Sequence, residues 1–458
     1  MREDYIIVHP FEEMKVEEYQ GRQQLNEHAA VSLSGYIPFG KKEEYLQAAR
    51  QQEWVQVAAA AQDGRESIIF CGIVEKMGMK VKGGTCRMEL VLRSGTLRMD
   101  ITKRIRSFQN TDLLYSDILD ICRRGYANGE KIMTVAKGEK TGRFIMQYKE
   151  TDWEFVKRVA SMKHTVLVAD CATCGGKYYF GLPERKNTIQ GDSMEYSSCY
   201  NLDTCSEEKG IQNAAVSYIW ESREVYELGD CGIINGHRMF VWKIESRMRG
   251  NTLSHVYYML PKAGFEVPML YNVHLSGASL FGTVQGIRGE KIRMEITEDG
   301  NKGKTGVYWF PYATPYSSQD GTGWYCMPEN GDRVRLYFPT DKEQDAYAAS
   351  AYHEGEAALR TEPGRKLWRN KEGKEIQLAP DKILLTNNDG TYVELSDQKG
   401  VEIVSGGSVT LSAGGSLRIS SSNASIELSA PNKIKLKQGE TEMNLGGDLN
   451  MSGAQIKL

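Results

Sequence analysis

The chain has no long apolar run, no surplus of either charge and no histidine after His353. Each absence closes a class of function. No apolar stretch reaches membrane-spanning length, and the start MREDYIIVHP carries acids where a secretory signal has a basic end and an apolar core. The expectation is a protein made soluble in the cytoplasm. Lysine and arginine number 57 against 60 aspartates and glutamates, for a net charge of −3, which leaves no general pull towards a polyanion. No nucleic-acid partner is expected. Nine cysteines, an odd number at irregular spacing in 458 residues, favour reduced thiols over a disulfide framework. The seven histidines are dispersed, with no Ser/His/Asp grouping and no phosphate-cradling glycine loop. The reading is therefore of no enzyme, no catalytic residue and no cofactor.

What is present is a C-terminal rhythm. Residues 407–430, GSVTLSAGGSLRISSSNASIELSA, have the serine and glycine of a linker, yet an apolar pair at i and i+2 returns about every eighth residue. The pairs are Ile376/Leu378, Ile383/Leu385, Val393/Leu395, Val401/Ile403, Val409/Leu411, Leu417/Ile419, Ile426/Leu428, Ile434/Leu436, Met443/Leu445, Leu449/Met451 and Ile456/Leu458. Alternation puts both members of a pair on one face of a short strand, with Glu394, Thr410, Arg418 or Lys435 facing water. Turn residues such as Asn388-Asp389-Gly390 and Gly414-Gly415 separate the strands.

Two apolar side chains in eight residues bury too little to offset the entropy of ordering those eight residues in a lone chain. Three chains wound together, each giving one side of a triangular prism filled by the pairs, supply the missing burial. The expectation is an intertwined homotrimer, a triple-stranded β-helix with every strand laddered to another chain. A single-chain solenoid would show longer coils with more apolar positions, and a disordered linker would not keep the pair through eleven repeats.

Ahead of the repeat, residues 280–354 show strand-like runs at Thr283–Ile287, Ile292–Ile296, Val307–Phe310, Trp324–Met327 and Val334–Phe338, which predict a small closed barrel. The stretch WFPYATPYSSQDGTGWYCMPENGDRVRLYFPTDKEQDAYAASAYHE resembles the oligonucleotide/oligosaccharide-binding (OB) type barrel of VgrG-type spike proteins and myophage central spikes, with Trp324, Pro328, Gly331, Asp332, Val334 and Leu336 in the slots of that pattern. Trp309, Tyr312, Tyr316 and Trp324 are read as packing rather than as a stacking platform.

The N-terminal half reads as mixed α and β. NTDLLYSDILDICRRGYANGE predicts an amphipathic helix capped by Asn110 or Thr111, with Leu113, Leu114, Ile118, Leu119 and Ile121 on one side. In YKETDWEFVKRVASMKHTVLVAD, Thr151 and Glu154 have capping-box spacing, Trp153, Val156, Val159 and Ala160 form the buried face, and a strand is expected at Thr165–Val168. The latter segment resembles the hub domain shared by VgrG proteins, phage baseplate hubs and late-control proteins, and LGDCGIINGHRMFVWKIESRMRGNTLSHVYYMLP resembles the closing barrel of that hub.

The resemblance implies a mainly β protein with some α: a hub of two tube-like β-barrels with helical insertions at 1–270, an OB-fold barrel at 271–355, a linker at 356–375 and a triple-stranded β-helix spike at 376–458. It implies a homotrimeric, membrane-puncturing spike of a contractile injection apparatus (phage tail, tailocin or type VI secretion), partnered by an inner tube (Hcp-like) protein, baseplate proteins and possible effector cargo. Such a particle assembles in the cytoplasm and is delivered to or through a target envelope. The alternative is a trimeric tail-fibre or adhesin that binds a receptor. About 20 residues separate barrel and repeat, too few for a hydrolase, and acid pairs such as Asp341/Glu343 and Glu354/Glu356 read as solvated surface charge. Cys171-x-x-Cys174 with Cys199 and Cys205 offers thiolates at a spacing unlike a zinc site, so no metal is assigned. At the C-terminal end, Ile456 and Leu458 leave a blunt apolar patch, where docking of a PAAR-like tip cap is expected.

Overall fold

The computed structural model describes residues 5–51, 54–60, 66–183, 185, 188–189, 195–200, 216–249, 252–355 and 357–445. The chain divides into two compact units, 1–354 and 355–458. Both are mainly β.

In the first unit, the N-terminal strands join one continuous 12-stranded sheet. Its central join is the antiparallel pairing of Lys15–Gln24 with His237–Arg249, which brings strands far apart in sequence into one sheet. The longest hairpin pairs Glu66–Lys82 with Thr85–Ser94. Gly83 and Gly84 both hold positive φ, as a two-residue hairpin turn whose twist matches its strands requires.

The helices sit where their caps put them. Asp152–Ser161 starts at Thr151, whose Oγ1 accepts from the Glu154 amide at 3.1 Å while Glu154 Oε2 accepts from the Thr151 amide at 2.8 Å. Trp153, Val156, Val159 and Ala160 are buried as the spacing predicts. The other amphipathic segment begins later than expected, as Tyr115–Arg123. Asp117 Oδ2 takes the Leu114 amide at 3.0 Å, whereas Asn110 Oδ1 is turned to the Asp112 amide in the preceding loop. A side chain that closes its own turn does not cap the helix behind it. The strand expected at Thr165–Val168 is found at Leu167–Ala169, and CATCGG is the turn that brings Lys177–Phe180 back antiparallel to it.

The closed barrel is formed by Ser279–Arg288, Lys291–Ile296, Phe310–Ala313, Tyr347–Tyr352 and Arg333–Tyr337. Trp324–Met327 is not a strand, and its expected place is taken by Tyr347–Tyr352. The YAASAY stretch lacks the β-branched residues that signal a strand, but the barrel's closure recruits it. Leu280, Val284, Ile292, Phe310, Val334 and Phe338 fill the barrel together with Phe144 and Met146 from the region before it, so the two share one core.

In the second unit, five strands form an antiparallel meander: Lys366–Arg369, Glu375–Ala379, Lys382–Thr386, Tyr392–Ser396 and Gly400–Val404. The first lies inside the stretch read as a linker. A hairpin follows after a gap, Ile434–Gln438 with Thr441–Leu445.

Candidate interaction surface on the C-terminal repeat

The repeat residues are placed on one face by register. Ile376 lies opposite Leu385, Leu378 opposite Ile383, Ile383 opposite Leu395, Leu385 opposite Val393, Val393 opposite Ile403 and Leu395 opposite Val401. In the hairpin, Ile434 faces Leu445 and Leu436 faces Met443. Four pairs of the meander and two of the hairpin therefore ladder to their own chain, not to another. The expectation that every strand is laddered between chains fails for them. The reason is local: Asn388 and Gly390 adopt positive φ, and the short turn folds the next strand back at once.

The single chain leaves this apolar face uncovered. Ile376, Leu378, Ile383, Leu385, Leu395 and Ile403 are exposed, and Val401 is 69% exposed. Alternation places Glu375 and Gln377 on the opposite face, where they are buried. The usual order of burial is inverted. Trp368, opposite Ile376 in the register and 63% exposed, extends the apolar face and lines a groove of about 550 Å³ with Ile376, Leu385 and Val393. Sequence reading missed Trp368 because it fell in the stretch read as a linker; the apolar Leu367-Trp368 step among charged residues was the available signal.

Residues 405–433 differ from both neighbours. They belong to no strand and pair with no other part of the described chain, yet Val409, Leu411, Leu417, Ile419, Ile426 and Leu428 are 53 to 68% exposed. Leu449, Met451, Ile456 and Leu458 lie outside the described residues.

Elsewhere the structure redistributes the other candidates. Glu343 is no surface acid. It is buried and accepts from Arg158 Nη1 at 2.5 Å, while Arg158 Nε and Nη2 hold both carboxylate oxygens of Glu150 at 2.7 and 2.8 Å. Burial alone would lower the Arg158 pKa, but the two carboxylates outweigh it and raise the value. A second polar joint ties Asp299 to the Ser107 amide at 2.8 Å and to its hydroxyl, and Thr305 Oγ1 to the Ser107 carbonyl at 2.8 Å. Both joints tie the region before the barrel to the barrel.

The cysteines also depart from expectation. Cys71 and Cys174 form a disulfide across 103 residues, so not all thiols are reduced. Cys174 is thereby committed away from Cys171, whose thiol is pushed up by burial. Cys199 is exposed, and Cys205 lies outside the described residues. Among the described residues no group of three or more His, Cys, Asp and Glu side chains is placed to hold a metal ion.

A Thr/His/Asp array, unseen in the sequence, does exist: His28 Nδ1 bonds Thr96 Oγ1 at 2.8 Å and Nε2 bonds Asp100 Oδ2 at 3.2 Å. Thr96 is fully buried and its hydroxyl also contacts Ser94 Oγ, so it offers no nucleophile to a substrate. Of the barrel aromatics read as packing, Tyr316 and Trp324 are exposed, whereas Trp309 and Tyr312 are half-buried.

Against known proteins, residues 45–163 match the family described as the phage tail baseplate hub. That segment contains the capping-box helix and the first long hairpin. A chain of the Francisella PdpA-VgrG complex aligns at TM-score 0.62 and 8% identity over 88% of each chain. The chain has the fold of a VgrG-like baseplate hub. The E. coli c3393 protein, a type VI secretion component described as structurally similar to the T4 bacteriophage tail proteins gp27 and gp5, aligns to this chain at TM-score 0.55 and 12% identity, covering 76% of this chain and 99% of its own. No curated sequence matches this chain. None of its described helices is long and apolar enough to cross a membrane.

Proposed function

We propose that the protein is the homotrimeric hub and membrane-puncturing spike of a contractile injection apparatus. The hub joins a sixfold inner tube of Hcp-like protein to a threefold spike, and the repeat is driven through the target envelope when the sheath contracts. The observation that carries this reading is the uncovered apolar face of the repeat, together with a 405–433 segment that has apolar pairs but no ladder partner among the described residues of its own chain. Both needs are met at once when three copies wrap around a common axis, because each copy then supplies ladder bonds and apolar cover to the next.

The role is mechanical. The shared hub–barrel core and the two buried joints make the base of the spike one body, suited to passing axial load from tube to tip. Baseplate proteins hold the hub, a PAAR-like cap docks at Ile456 and Leu458, and effector cargo travels with the spike. No catalytic step is assigned. Electron microscopy of the purified full chain tests the reading. Threefold averages with a ring and a thin needle, and no clearing of peptidoglycan in a zymogram, are expected; globular single-chain particles without a needle contradict it.

A further inference from the structure

Within the repeat, the two stretches send their backbone bonds to different places. Strands from Lys366 to Val404 ladder to their own chain, and cross-strand polar pairs brace the face away from the apolar one: Arg369 with Glu375 at 3.3 Å, and Lys382 with Glu394 at 2.8 Å. Asn388 Nδ2 further ties its turn to the Gly373 carbonyl at 2.6 Å. Residues 405–433 have no such support.

The stretches also differ in how well they define alignment. The 405–433 pairs recur every eight or nine residues among serine and glycine, so sliding one copy by a whole repeat against another sets apolar on apolar again. Strands this uniform specify register weakly. In the meander the first members of successive pairs are 7 and then 10 residues apart, and Trp368 stands beside a groove lined by Ile376, Leu385 and Val393. A slip by a fixed number of residues there does not set apolar on apolar again.

We propose that the meander is the registration nucleus of the spike: it folds on its own chain, its apolar face then packs against the same face of two further copies, and the 405–433 segments ladder to one another only after that alignment is set. This rests on the trimeric reading above. The occupant of the face is a second copy of this chain, because the segment that directly follows requires strands of the same repeat and the described residues of its own chain supply none.

Pulsed hydrogen exchange with peptide mass analysis during refolding of the full chain tests the order. In the wild type, amides of 376–403 gain protection first and at a rate independent of chain concentration, and those of 405–433 follow at a concentration-dependent rate. The variant Leu378→Thr/Ile383→Thr/Leu395→Thr keeps strand propensity and removes apolar surface. It is expected to protect its meander normally and to slow protection of 405–433 at least tenfold. Leu417→Thr/Ile419→Thr is expected to leave meander protection unchanged. Protection of 405–433 before or together with the meander, or an unaltered 405–433 rate in the triple variant with a protected meander, overturns the proposal. If the triple variant leaves its meander unprotected, the milder Leu378→Val/Leu395→Val is read in its place, with a smaller slowing of 405–433 expected and no slowing overturning the proposal. A wild type in which 405–433 never gains protection sinks the trimeric reading itself.

Discussion

The two units use the same device, strands that alternate apolar and polar, to opposite effect. In the hub, Val31, Leu33, Met88, Leu90 and Leu92 alternate into a core that the chain itself closes. In the repeat, Leu378, Ile383, Leu395 and Ile403 alternate towards a face that the chain leaves open. The pattern of side chains fixes which face is apolar; the number of layers the chain can fold back decides whether that face becomes a core or an interface.

The contrast breaks most visibly in the hub. Arg158→Ala strands Glu150 and Glu343 as unpaired buried carboxylates and is expected to cost about 3–5 kcal/mol, read from denaturant unfolding of the full chain. Opening the Cys71–Cys174 bridge, by Cys71→Ser or by reductant, is expected to cost about 2–4 kcal/mol in the same transition. A hub unfolding curve indifferent to both changes contradicts the self-closed description of this unit.

In the repeat, a substitution of similar size should do nearly nothing to that transition. Leu411→Ser is expected to shift hub unfolding by no more than about 0.5 kcal/mol, while removing protease resistance around residues 405–433. Loss of hub stability in this variant would blur the distinction between the units.

The smallest effect concerns His9. Its hydrogen bond to Glu12, opposed by partial burial and aided by Glu66, raises its pKa above the usual 6.5. A raised value means that the stabilisation is complete below the ordinary pKa and fades as pH rises through the elevated one. Because the site is about a third exposed, a few tenths of a kcal/mol are expected between pH 6 and 8. His9→Ala should flatten that dependence.

Local signals were legible in the sequence wherever the cause was itself local. Thr151 and Glu154 announced their helix because the cap is made within four residues, and the repeat announced its apolar face because alternation is a property of neighbouring positions. Long-range placements left no such trace. Glu343 reads as a loop acid until Arg158, 185 residues earlier, is brought against it. Cys71 reads as an isolated thiol until Cys174 arrives, and YAASAY becomes a strand only because a barrel needs closing. In the repeat, spacing revealed the face but not the ladder partner, since a strand turned back on its own chain and one passed to a neighbour carry the same pair of apolar residues.

The central claim is that the repeat is covered by copies of itself. Light-scattering mass measurement of the purified full chain, followed by limited proteolysis, tests it most directly: the account predicts a mass of three chains with residues 376–445 resistant to cleavage, and a compact, resistant species of one chain would contradict it.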